Sequence, residues 1–341
     1  MDIKKMYSWG DVPDVCPPGG KIKMSVELPD SAQGCRPVLP VMIVRGATDG
    51  PRMLILAGQH GRELHGPVGI ARAFERIEPS EIRGTLVMMP VLNPLAIRMR
   101  RQDYPGEDSR YRQGQIADWN MNRTWGRQIH TYAGIISSFV EDGFVSGADV
   151  VLDLHGWSSA TTAWSNDREL LMSFGVDICL LYPDFSDSLP GMLDACSAQH
   201  GAKIMLVELA PQNVLIPDVV DVAENGIINA LRSQKMLSGK PVLPARQYLC
   251  RPNEESSLTV AAEDIVEPLT LPGEYVRENQ VLARQWSLDK LELIEEFRAP
   301  HDGLVTVAGG AFMGEDIPAS CVYSPGQRVV MIRRCMEIID N

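Results

Sequence analysis

Met53-Leu-Ile-Leu-Ala-Gly58-Gln-His60-Gly-Arg-Glu63-Leu-His65-Gly-Pro67-Val-Gly-Ile70 decides the architecture. Its first five residues are apolar and read as a buried strand that stops at Gly58. His60 follows, and Glu63 three residues later, so the strand delivers polar groups to its own end. If the chain turns into a helix here, residues three apart share a face, and an imidazole nitrogen and a carboxylate reach one metal ion. That pair is two thirds of a catalytic zinc site. Taken alone, His-x-x-Glu reads first as a polar loop with two hydrated side chains, because short motifs match by chance, so the rest of the chain must supply a third ligand.

Outward from this stretch, strand-like and helix-like patterns alternate. Ile22, Met24, Val26 and Leu28 alternate as a strand, 39–44 reads as another, and 46–51 as a turn. Gly66-Pro67 opens a helix marked by Ile70, Ala71, Phe74 and Ile77. A strand over 85–91 ends at Asn93-Pro94, and 98–119 is a polar, Arg-rich loop without period, a length that usually signals function. Ile129, Ala133, Ile136 and Val140 mark a helix. A strand over 149–154 then ends at His155-Gly156. A short strand at 180–182, a helix over 189–200 and a strand over 203–209 carrying Glu208 lead to a helix capped by Asp218. The expected fold is α/β, a sheet with helices on both faces and polar sites at strand ends, where open sheets bind ligands. Beyond 239–244 the helical period disappears, and short β runs are punctuated by Pro272-Gly273, Asp302-Gly303 and Gly309-Gly310. Residues 1–240 are read as one α/β domain and 245–341 as a small all-β domain.

The 341 residues are 45% hydrophobic and 22% charged, values of an ordinary globular protein, and carry a formal charge of -12. That charge argues against nucleic acid and anionic membranes as partners, though a few inward Arg residues can still draw an acidic substrate. Residues 1–9 lack a signal-type apolar region, and no run of roughly 18 apolar residues follows, so a cytoplasmic location is expected. The seven cysteines, at 16, 35, 179, 196, 250, 321 and 335, form no Cys-x-x-Cys and read as reduced, mostly structural thiols.

Five histidines besides His60 compete for the third ligand position. His155 stands out because a strand ends on it, with Asp153 nearby as its partner. His65, His130, His200 and His301 read better as solvated or structural. Two His and one carboxylate leave a fourth position open, the catalytic arrangement. Catalysis also needs a base. Lys203-Ile-Met-Leu-Val-Glu208-Leu sets a carboxylate in an apolar strand, where it is either paired with a cation or tuned as an acid/base, and its place at a third strand end favours the latter. Asn120-Met-Asn122-Arg123 offers an amide donor beside a bidentate cation, which suits a substrate carboxylate.

Gly58-Gln-His60-Gly-Arg-Glu63, Asn93-Pro94, Asn120-Met-Asn122-Arg123, Asp153-Leu-His155 and Val207-Glu208-Leu, in this order, resemble the succinylglutamate desuccinylase/aspartoacylase family, relatives of the zinc carboxypeptidases. The resemblance spans about residues 38–235 and implies a mixed sheet of zinc-carboxypeptidase type. It implies one Zn2+ per chain on His60, Glu63 and His155, Glu208 as general base and acid, and Asn122 with Arg123 on the substrate carboxylate. The family's further Arg falls among Arg98, Arg100, Arg101, Arg110 and Arg112, of which Arg101 is favoured. Two departures concern substrate rather than catalysis: Asn120 stands where many members have Asp, and Trp125-Gly126 where they have Phe-Pro-Gly.

Gly273-Glu-Tyr-Val-Arg-Glu-Asn-Gln280-Val-Leu and Ala299-Pro-His-Asp-Gly303 are similar to the biotinyl/lipoyl-like β barrel/sandwich. Lys290 lies too far from Ala299-Pro300 to be a lipoyl lysine, so this domain is expected beside the active-site mouth or in assembly. The implied activity is zinc-dependent hydrolysis of the amide of an N-acyl amino acid or related small carboxylate. A carboxypeptidase-type metallopeptidase, or a binding protein retaining the fold, is the alternative. The expected partner is the small acylated substrate, and self-association stays open.

Overall fold

The computed structural model describes residues 3–31, 34–103, 119–157, 160–185, 188–308 and 322–341. In the first two thirds the elements run β1 (Ile3–Lys4), α1 (Val12–Val15), β2 (Lys21–Glu27), β3 (Val38–Arg45), β4 (Thr48–Ala57), α2 (His65–Arg76), β5 (Arg83–Met89), α3 (Pro94–Met99), α4 (Tyr132–Gly143), β6 (Val150–His155), β7 (Thr162–Ser165), α5 (Arg168–Ser173), β8 (Ile178–Leu181), α6 (Leu193–Gln199), β9 (Lys203–Glu208) and α7 (Pro217–Ser233). The remainder is strand: β10 (Arg246–Thr259), β11 (Asp264–Pro268), β12 (Tyr275–Val276), β13 (Val281–Trp286), β14 (Leu293–Arg298), β15 (Gly303–Ala308), β16 (Val322–Tyr323) and β17 (Arg328–Asp340).

Thirteen strands form one mixed sheet in the order β1-β2-β3-β5-β4-β6-β9-β7-β8-β10-β17-β15-β12, and β14-β13-β11-β16 form a second sheet. The expected α/β class with helices on both faces is what the chain adopts. Successive side chains of a strand point to opposite faces. Leu54, Leu56, Val87, Met89, Val151 and Ile204 therefore join one core with Trp125, Ile136 and Val140. Met53, Ile55, Leu86, Leu152, Met205 and Val207 join a second core on the other face, with Ile70, Phe74, Ala223 and Ile227 of α2 and α7. Burial on both sides explains why the central strands read as continuous apolar runs.

The site follows from strand order. β4 pairs in parallel with β5 on one side and β6 on the other, and β6 pairs in parallel with β9. The chain leaves β4 through α2 to reach β5 and later returns to lay β6 on the opposite flank, so the sheet order reverses at β4. That is the switch point at which the carboxyl ends of strands leave a crevice. His60 follows β4, while His155 and Glu208 end β6 and β9 as register partners.

Several expectations shift. His60 and Glu63 lie in a turn ahead of α2, which begins only at His65. Gly58 makes that turn with φ of 66°, and Gly61 packs where a Cβ would lie 2.2 Å from the Arg101 carbonyl. The turn expected over 46–51 is largely strand, because β4 starts at Thr48 and bulges against β5 before Arg52. The loop beginning at 98 gives its first residues to α3, whose Asn93 side chain caps the Ala96 N–H at 3.2 Å. β7 and α5, only four and six residues long, were not anticipated. Asp218 is not the cap of α7: Ile216 holds that place with Pro217 at the first helical position, and Asp218 sits in the first turn.

Candidate metal centre

Three buried donors converge at the crevice. His60, Glu63 and His155 are 6, 3 and 3% exposed, and one ligand atom from each lies within 4.8 Å of the others. Glu63 divides its carboxylate, Oε1 lying 3.0 Å from His60 Nδ1 and Oε2 3.0 Å from His155 Nδ1. The turn thus brings together what the sequence pattern assigned to a helical face.

Each imidazole is held from behind through Nε2. His155 Nε2 lies 2.9 Å from Asp153 Oδ2, as the Asp-Leu-His spacing suggested. Gln59 Nε2 in turn donates to both Asp153 oxygens at 2.9 Å, and Trp125 Nε1 donates to Gln59 Oε1 at 2.9 Å. His60 Nε2 faces Asn120 Oδ1 at 3.1 Å, with Asp103 Oδ1 at 4.0 Å. Gln102 donates to Glu63 Oε1 at 3.1 Å. Gln59, Gln102, Asp103 and Trp125 were not among the sequence candidates. The one available signal was the Trp125 departure from Phe-Pro-Gly, whose indole N–H a Phe could not supply.

The donor set fits a cation. Burial alone would lower the His60 imidazole, but the charge and hydrogen bond of Glu63 outweigh it and raise it to about 9. Burial likewise opposes the charge of His155, yet Asp153 and Glu63 raise it well above its ordinary value. Burial would push Glu63 up, and the two imidazoles instead hold it far below the carboxylate range. Without an ion the cluster therefore draws protons to supply positive charge, the place a divalent ion takes when neutral imidazoles and a carboxylate bind it. A borderline metal such as zinc suits two nitrogens and one oxygen.

Glu208 stands beside them. The residue is half-buried, its Oε2 is buried with no hydrogen-bond partner among the described residues, and burial, reinforced by Glu63 and Asp153 against the pull of His155 and His60, raises the carboxyl to about 7. Asn122 is buried, with Oδ1 accepting from the Leu193 N–H at 3.0 Å. Arg123 is half-buried and donates Nη1 to the Asn122 carbonyl. Arg101 is exposed at the turn preceding Gln102, and Arg98 and Arg100 are exposed on and after α3. Arg110 and Arg112 lie outside the described residues. The remaining histidines have other surroundings: His65 Nε2 accepts from the Ile216 N–H, His301 meets Ser256 and the Asp302 carbonyl, His200 meets Glu141, and His130 is exposed.

Residues 49–234, more than half of the chain, match the family model of the succinylglutamate desuccinylase/aspartoacylase catalytic domain. N-alpha-acetyl-L-2,4-diaminobutyric acid deacetylase of Halomonas elongata is 23% identical over 304 residues, 84% of this chain and 85% of that protein. Among solved structures, the product-bound ectoine utilization protein EutE (DoeB) of Ruegeria pomeroyi superposes with a TM-score of 0.75 at 20% identity, over 93% of this chain and 96% of that one. A succinylglutamate desuccinylase/aspartoacylase from Rhodobacter sphaeroides does so with 0.73 at 18% identity, over the same shares. At these identities the structures establish the shared fold. With the matched segment carrying the buried His60, Glu63 and His155, the chain belongs to the succinylglutamate desuccinylase/aspartoacylase family, whose members are hydrolases of amide C–N bonds.

Proposed function

We propose that this protein is a zinc-dependent deacylase that cleaves the amide of an N-acyl amino acid or related small carboxylate, with His60, Glu63 and His155 as the metal ligands. The observation that carries the reading is Glu208 Oε2, buried without a hydrogen-bond partner among the described residues and one strand from His155 in register. A carboxyl near 7 is suited to exchange protons at neutral pH. The metal, when bound, supplies Lewis-acid polarisation of the acyl carbonyl. Glu208 Oε2 takes a proton from the attacking water and delivers it to the leaving amine. Asn122, with Oδ1 already engaged by Leu193, turns its amide N–H groups to a substrate carboxylate, and Arg123 supplies the charge. Arg101, on the turn leading to Gln102, is the Arg assigned to the substrate at the mouth. The Halomonas relative's name supports a short acyl group on a small amino acid.

We assign 1–240 to the catalytic unit and 245–341 to an all-β unit. The separate core of Val260, Val266, Leu282, Phe297 and Val329 supports that division. Val307 and Met331 pack on Trp157, two residues beyond His155, which supports a place for strands of this unit beside the mouth of the crevice. The six described cysteines are free thiols, in keeping with a cytoplasmic location.

The test pairs metal content with amine release from N-acetyl and N-succinyl amino acids, in wild type and Glu208→Gln. The variant should keep one equivalent of zinc at the centre and lose roughly a thousandfold in kcat. Wild-type activity should rise with pH along an acid limb below 7, because a cation beside Glu208 favours its ionised form and draws the carboxyl down from about 7. Metal bound at the centre with no amine released from any substrate would overturn the deacylase reading.

A further inference from the structure

A second set of donors lies outside the crevice. Glu141 on α4, Cys196 on α6 and His200 at the end of α6 place one ligand atom each within 4.8 Å of one another. Cys196 and His200 are four apart, which on a helix puts both on one side, and Glu141 meets them from the neighbouring element. His200 Nε2 is 3.2 Å from Glu141 Oε1, and the Gly126 N–H donates to Glu141 Oε2 at 2.8 Å. The backbone thus fixes one carboxylate oxygen and aims the other at the imidazole, as groups behind metal ligands do. Cys196 is 4% exposed, whereas the His200 side chain is 34% exposed, and a cavity of about 730 Å³ lined by Gly126, Arg127, His130 and Glu141 opens alongside. The site therefore has a buried sulfur and an imidazole open to solvent.

We propose that Glu141, Cys196 and His200 form a second metal site, selective for a borderline-soft divalent ion such as zinc, with solvent in the fourth position. Thiolate, imidazole and carboxylate are the donors that zinc accepts in a tetrahedral shell, and the sulfur separates this site chemically from the nitrogen and oxygen set in the crevice. Binding forms a metal–sulfur bond in place of the thiol S–H, whose proton passes to solvent. No electron changes hands. The site is placed to hold the segment bearing Asn122 and Arg123. Glu141 anchors Gly126, and the start of α6 is tied to Asn122 through the Leu193 N–H, so an ion joining α4 to the end of α6 fixes both anchors.

The experiment titrates the metal-free full-length protein with Co2+ and reads stoichiometry and absorption. The crevice set contains no sulfur, so a near-ultraviolet thiolate-to-cobalt charge-transfer band that depends on Cys196 reports the second site and not the crevice. Wild type should bind two equivalents and show the band. Cys196→Ser should bind one and show none, and His60→Ala should lose the crevice equivalent and keep the band, so failure at one centre is separable from failure at the other. Should Cys196→Ser fold poorly, His200→Ala, at a half-exposed position, should weaken the band-forming event about tenfold or more. Absence of the band at saturating cobalt, or its persistence in Cys196→Ser or undiminished in His200→Ala, would overturn the site.

Discussion

The two imidazoles of the crevice are held in different ways. His155 ends a strand whose six residues are all buried, and behind it stand Asp153, Gln59 and Trp125, none more than 1% exposed. That side is a closed run of hydrogen bonds, Trp125 to Gln59 to Asp153 to His155, with an anion against the ring. His60 sits in a turn and is backed at contact distance by the half-buried amide of Asn120, with the Asp103 carboxylate 4.0 Å away. One ligand is fixed by the sheet and paired to a charge, and the other is placed by the chain segment that also carries Asn122 and Arg123. The difference assigns metal retention chiefly to the His155 side and leaves the His60 side able to adjust with the segment proposed to bind substrate.

Removing the charge on the rigid side should have the largest effect. Asp153→Asn keeps the shape but takes the anion from His155 Nε2 and sets an amide against the Gln59 amide, so metal affinity should fall roughly 10–100-fold by chelator competition. A loss no larger than that of a change behind His60 would break the comparison. Trp125→Phe probes the far end of the same run. It keeps an aromatic ring in the core but deletes the N–H that Gln59 Oε1 accepts, which should cost about 1 kcal/mol, or roughly fivefold in metal affinity. If the thermal midpoint fell while metal affinity held, Trp125 would be a packing residue only.

The strand ends were legible because apolar runs bounded by Gly and polar residues are local signals. His60, His155 and Glu208 each close such a run, and the parallel pairing of β4, β6 and β9 brings all three to one end of the sheet. Glu63 was legible by spacing, although a turn rather than a helix realises it. Asp153 behind His155 was legible from its spacing in the same strand, but the other groups behind these residues were not. Gln59 reaches Asp153 across 94 positions and Trp125 reaches Gln59 across 66, and no periodicity encodes such meetings. α3, β7 and α5 are too short to show a repeat against their surroundings. The all-β pattern after 245 was visible, but not that β10 would join β8 in parallel and carry β17, β15 and β12 into the main sheet, because strand pairing partners leave no local trace.

The smallest expected effect comes from making the two sides alike. Asn120→Asp would set a carboxylate about where Oδ1 now lies, 3.1 Å from His60 Nε2, giving His60 the same kind of partner as His155. In the metal-free protein that charge raises the His60 imidazole further above its present value of about 9. A folded-state pKa above the unfolded value of 6.5 contributes stability that is complete below 6.5 and lost as the pH rises through the folded value. The metal-free variant should therefore melt a few degrees above wild type near pH 7, and the advantage should vanish above about pH 10. With metal bound the imidazole is neutral, and the carboxylate acts instead by raising its basicity as a ligand, so affinity should tighten about threefold or less. Equal melting curves from pH 6 to 10 would mean that the Asn120 side chain does not govern His60, and the weakness of the His60 side would then trace to its turn and not to its partner.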